Sequence, residues 1–186
     1  MERTIEATID LHATPDRATA VLIDDPATVL ADGPTAGDRR AHYVRTVLSL
    51  DVGSGASLEQ EVEVEFDAPR RSVDDDGVVM ALRWHATGHE RLLPTFSGAL
   101  SVTPATKGSH LALSGHYRVP LGAAGRFGDG LAGRRIARQT LETFVAEMGG
   151  RLDAAVVRRI DATPHHPAPY PVSLLEDALC PEIHFG

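Results

Sequence analysis

The sequence predicts an α+β domain in which antiparallel strands wrap around one long helix near the C-terminus. Three observations carry the prediction. Several segments alternate with the period of a half-buried strand, most cleanly Val62, Val64 and Phe66 against Glu61, Glu63 and Glu65. One apolar stripe runs through Leu131, Ala137, Leu141, Phe144, Met148, Leu152 and Ala155, at helical intervals apart from a gap after Leu131. Between the first strand and the others stand two helix-start signals, Thr14-Pro15 and Asp25-Pro26. A sheet closed on a single helix often leaves a cavity between the two.

Taken in order, residues 3–11 place Ile5, Ala7, Ile9 and Leu11 on one face of a strand. The two capping signals open short helices over 15–23 and from 26 to about 31. Glycine and proline around 32–38 make a loop. Residues 41–52 form a strand on the shared parity of Val44, Leu48, Leu50 and Val52, and Gly53-Ser54-Gly55 turns it into the strand at 58–66. Residues 67–77 read as a polar loop. Strands follow at 78–87 (Val78, Met80, Leu82, Trp84 on one face), at 95–103 (Phe96, Leu100, Val102) and at 110–119 (Leu111, Leu113, Tyr117, Val119). The long helix spans about 129–158. Its Gly149-Gly150 pair marks a kink or a close approach to a strand.

Length, charge and cysteine usage bound the function. At 186 residues the chain is most simply one domain, over 1–160, with a Pro/His-rich tail over 161–186. A net charge of -8 argues against nucleic-acid or anionic-membrane partners. No apolar run is long enough to span a bilayer, and the N-terminus lacks a secretory signal, so a cytoplasmic location is expected. Cys180 is the sole cysteine, which excludes an intrachain disulfide.

Three stretches resemble the START-like (SRPBCC) superfamily, which includes polyketide cyclases and the Bet v 1 lipid-binding allergens. They are residues 94–104 (from Pro94 through Phe96 and Leu100 to Pro104), residues 111–122 (from Leu111 through Tyr117 to Pro120 and Gly122), and Gly125 to Asp129 leading into the helix. The resemblance covers about residues 2–158 and leaves the tail outside. It implies a helix-grip fold: a curved antiparallel sheet of six or seven strands around a long C-terminal helix, with two short helices after the first strand. Six strands are counted above. Residues 78–93, broken at Gly88, are the source considered for a seventh. The resemblance also implies an apolar cavity between sheet and helix. Met80, Trp84, Phe96, Leu100 and Tyr117 would line it from the strands, and Leu131, Leu141, Phe144 and Met148 from the helix.

Other motifs carry less chemistry. Gly128-Asp129-Gly130-Leu131-Ala132-Gly133 matches a phosphate-cradle pattern, but no parallel strand follows the helix as a dinucleotide site requires. His85 and His89, like His110 and His116, share the parity opposite to the apolar faces and should point outward. No metal and no cofactor is therefore expected. Cys180 and His165-His166 lie in the tail. Glu59, Glu61, Glu63 and Glu65 read as a solvated strand face, and Arg134-Arg135 as surface arginines or contacts for an anionic headgroup at a cavity mouth. Of the inward polar groups, only the Tyr117 hydroxyl and the Trp84 indole stand out, so Tyr117 is the catalytic residue if the protein is an enzyme.

The expected function is binding or transport of an apolar small molecule such as a lipid, polyketide or isoprenoid, without catalysis. A polyketide cyclase or aromatase is one alternative. An interaction module built on the tail is another. A homodimer is an assembly that the sequence leaves open.

Overall fold

A computed structural model of the chain describes residues 2–31, 42–51, 57–73, 76–87, 95–118 and 130–162. The elements are β1 (Glu2–Leu11), α1 (Pro15–Asp24), α2 (Pro26–Leu30), β2 (Tyr43–Asp51), β3 (Ser57–Phe66), β4 (Arg70–Arg71), β5 (Val78–Ala86), β6 (Thr95–Pro104), β7 (Ser109–Arg118) and α3 (Gly130–Ala162). One antiparallel sheet runs in the order β1-β7-β6-β5-β3-β2, with β4 paired to β5. The segment holding α1 and α2 carries the chain from one edge strand to the other. This is the helix-grip arrangement expected from the sequence.

The seventh strand comes from Arg70–Arg71, inside the stretch read as a polar loop, where it pairs with Val79 and Val78. Two exposed arginines are too few to show a period of two, so pairing alone defines this strand. The break considered at Gly88 lies outside the described residues. The long helix runs to Ala162, four residues past the expected end, since no helix breaker precedes Pro164.

Burial follows the alternation. The inner face of the sheet and one stripe of α3 form a single hydrophobic cluster, to which α1 and α2 add Ala18, Val21, Leu22, Val29 and Leu30. Asp25 caps α2, accepting from the Thr28 hydroxyl at 2.7 Å and from its backbone N–H at 3.4 Å. Thr14 occupies the N-cap position of α1 without a side-chain capping bond, so Pro15 does most to start that helix.

Two contacts seat α3. A Cβ at Gly149 would collide with the Cδ1 of Ile9 and lie 3.1 Å from Leu11 Cδ2, so this glycine marks close approach to β1, and the helix passes through it unbroken. One turn later, Asp153 accepts the backbone N–H groups of His12 at 3.1 Å and Ala13 at 3.0 Å. Those two amides sit in the turn between β1 and α1, which the carboxylate therefore ties to the helix.

Candidate functional site

The helix crosses the inner face diagonally. Gly149 and Asp153 fix its later half over β1, and Phe144 meets Trp84 of β5 nearer the middle of the sheet. The helix also contacts β2, at the opposite edge of the sheet.

The sheet register sorts the inner side chains into rows. Two rows, Val78-Val102-Leu111-Ile9 and Met80-Leu100-Leu113-Ala7, are wholly apolar. The next is Phe66-Leu82-Gly98-Gly115-Ile5. There the two glycine backbones lie face to face. A Cβ on Gly98 would collide with the Ser114 carbonyl oxygen and lie 2.7 Å from both Gly115 Cα and the tip of the Phe96 ring. The Phe96 ring thus covers ground that side chains would otherwise fill.

Beyond the glycines lies an aromatic row: Val44, Val64, Trp84, Phe96, Tyr117 and Arg3. The Trp84 and Phe96 rings stack at 4.3 Å, and Phe144 from α3 meets Trp84 edge-on at 5.3 Å. Past this wall the sheet side chains shrink to Thr46, Val62 and Ala86, followed by Leu48 and Gln60. On α3, Ala137 and Thr140 are buried as well. Thr46, Gln60 and Tyr117 thus place polar groups toward one end of the sheet's inner face, while Ser109, fully buried at the other end, donates its hydroxyl to the Ala13 carbonyl oxygen at 2.9 Å.

The Tyr117 hydroxyl is the least satisfied of them. The residue is 3% exposed, and its oxygen is fully buried with no hydrogen-bond partner among the described residues. Such a group loses its water without replacement, at a cost of about 1–3 kcal/mol. Its neighbours in the row are aromatic and aliphatic except for the half-buried Arg3 at the sheet edge.

Of the expected lining residues, Met80, Trp84, Phe96, Leu100, Tyr117, Leu141, Phe144 and Met148 are buried in the one cluster. The side chain of Leu131 lies outside the described residues, as do Arg134, Gly128, Asp129 and the tail with His165, His166 and Cys180. The reading of inward polar groups was too sparse. Thr46 is 7% exposed and Thr140 4% exposed, and Gln60 and Arg3 share inward parity while half-buried. Their signal was present: Thr46 falls between Val44 and Leu48 on one parity, and Thr140 sits beside Leu141 on the helical stripe.

On the outer face stand His85, His110 and His116, beside Glu63, Asp10 and Thr4. Arg83 pairs with Glu65 at 2.6 Å there. Among the described residues no three His, Cys, Asp or Glu side chains converge as a metal site. An open groove of about 460 Å³ on this face is bordered by His42, Glu63, Glu65, Asp67 and Arg83. Phe66, Leu82 and Gly98 also line it.

No protein-family model and no curated protein matches the chain. Solved structures do. The Zhui aromatase/cyclase from Streptomyces sp. R1128 aligns at a TM-score of 0.51 and 17% identity, over 87% of this chain and 98% of that one. The protein TTHA0849 from Thermus thermophilus aligns at 0.49 and 16% identity, over 82% of this chain and 99% of the other. With the strand order and single gripping helix above, the alignment with the aromatase/cyclase shows that the chain has the helix-grip fold. No helix among the described residues is long and apolar enough to cross a membrane.

Proposed function

We propose that the protein binds an apolar small molecule, of lipid, polyketide or isoprenoid type, between the inner sheet face and α3, as a carrier or sensor. The observation that carries this reading is the Tyr117 hydroxyl, buried and unpartnered among the described residues, beside the aromatic wall. A ligand that offers one acceptor there relieves the cost of that burial. The small side chains of Val62 and Ala86 just past the wall support the placement, since small residues leave room for a guest. Met80, Leu100, Leu141 and Met148 form the apolar surroundings.

Trp84 is the only tryptophan in the chain, so its fluorescence reports on this site. Titration with 1-anilinonaphthalene-8-sulfonate should change the Trp84 emission saturably, and native mass spectrometry of gently purified protein should show an added discrete mass. Neither signal, together with an interior void under ~300 Å³, would sink the reading.

A second reading is a cyclase-type enzyme. It is favoured by the buried Thr46, Thr140 and Tyr117 and the half-buried Gln60, since such chemistry needs polar groups in the interior. In that reading the Tyr117 hydroxyl holds or donates a proton to a carbonyl oxygen of the bound chain. Turnover of a poly-β-keto substrate that is unchanged in Tyr117→Phe counts against it.

A further inference from the structure

A second concave surface lies away from the interior, on the outside of the helix pair. It is a groove of about 670 Å³ between the end of α2 and the later half of α3. Ala31 borders it from the α2 side. From α3 come Glu147, Gly150, Arg151, Ala154 and Arg158. Its floor is open, for a Cβ placed on Gly150 would meet nothing within 4 Å. One helical step past Ala154, on the same strip, Val157 is 56% exposed.

The charge of this groove opposes that of the chain. Arg151 is paired with Glu147 at 3.4 Å, which leaves the exposed Arg158 to set a net positive balance of one. The whole chain carries -8. Residues 163–186 contain Glu176, Asp177 and Glu182 and no lysine or arginine. They also hold apolar groups suited to an open floor, including Tyr170, Leu174, Leu175 and Leu179.

We propose that residues 163–186 fold back along α3 and dock in this groove. The geometry of the connection favours it. The segment leaves α3 at Ala162, one turn from Arg158. From Ala162 back to Glu147 is ~22 Å at 1.5 Å per helical residue. Residues 163–171 carry prolines at 164, 167, 169 and 171, which favour a polyproline conformation spanning ~28 Å at 3.1 Å per residue. That length suffices to reverse direction and run the length of the groove. Within that reach the chain can turn back so that residues 172–180, with three leucines, lie over the open floor and the Glu176-Asp177 pair meets Arg158. A tail so placed would brace α2 against α3 from outside.

Cys180, the sole cysteine, allows a direct test on the full chain. A nitroxide attached there should strip most of the amide NMR intensity from residues 147–158, with the sheet amides of β5 and β6 as an unaffected internal control. Arg158→Glu should restore much of that intensity, and adding Glu176→Lys to Arg158→Glu should remove it again. Unchanged amides over 147–158 in the tagged wild type overturn the proposal, as does an Arg158→Glu variant that broadens like the wild type. A final arm mixes tagged unlabelled chain with untagged isotope-labelled chain. No broadening is expected in the mixture; broadening there means the tail docks on a second copy, which overturns docking within one chain.

Discussion

Tyr117→Phe removes one oxygen from a site where that oxygen has lost water and found no partner among the described residues. In a protein whose tyrosine is hydrogen-bonded, the same change costs about 1 kcal/mol. Here the sign reverses. The phenylalanine ring fills the same space, and the unsatisfied hydroxyl, worth a penalty of about 1–3 kcal/mol, is gone. The ligand-free variant should therefore be more stable by roughly 1 kcal/mol, a rise in Tm of ~2–4 °C for a chain of this size. Urea unfolding followed by Trp84 fluorescence reads the difference, and equal m-values show that only stability has moved. A ligand that accepts from Tyr117 binds the wild type more tightly and stabilises it by mass action, so the gap should close or invert as ligand is added. A ligand-free variant that is less stable by about 1 kcal/mol or more would refute the reasoning, because it would mean the hydroxyl is already satisfied.

Other perturbations test the frame around the site. Gly98→Ala drives a methyl group into the Ser114 carbonyl and the Gly115 backbone, neither of which can swing aside. It should cost about 3 kcal/mol in urea unfolding, at the upper end for overpacking, and a loss under ~1 kcal/mol would contradict the face-to-face glycine backbones. Asp153→Ala leaves the His12 and Ala13 amides without their acceptor. Given a partly exposed carboxylate, a loss of about 2 kcal/mol is expected, with faster hydrogen exchange at those two amides, while Asp153→Asn should lose about half as much. Exchange unaltered at both amides in the alanine variant would show that the tie between the β1–α1 turn and α3 does not hold.

Most of the sheet was legible because one face is buried and the other wet. Val62, Val64 and Phe66 against three glutamates leave one possible orientation, and the structure adopts it. The helical stripe of Ala137, Leu141, Phe144, Met148 and Leu152 was equally plain, since an amphipathic helix shows its buried face at every turn. Arg70–Arg71 was invisible because two polar residues carry no period. Thr46, Gln60 and Thr140 were passed over because a polar residue at an inward position reads as an interruption of the pattern. Thr46 and Thr140 are buried and Gln60 half-buried only because of what packs over them in three dimensions.

By itself, then, the chain determined which residues face inward, how many helices grip the sheet, and that Tyr117 brings a hydroxyl to an apolar face. Those properties follow from local spacing, because burial repeats every two residues in a strand and about every 3.6 in a helix. The tertiary structure alone decided that Gly149 is a contact with Ile9, that Phe96 covers the Gly98 and Gly115 backbones, that Trp84 is held between Phe96 and Phe144, and that the Tyr117 oxygen has no partner among the described residues. Each of these depends on which residue of a distant segment arrives opposite. Sheet register and the diagonal path of α3 set that pairing, and neither leaves a local mark in the sequence.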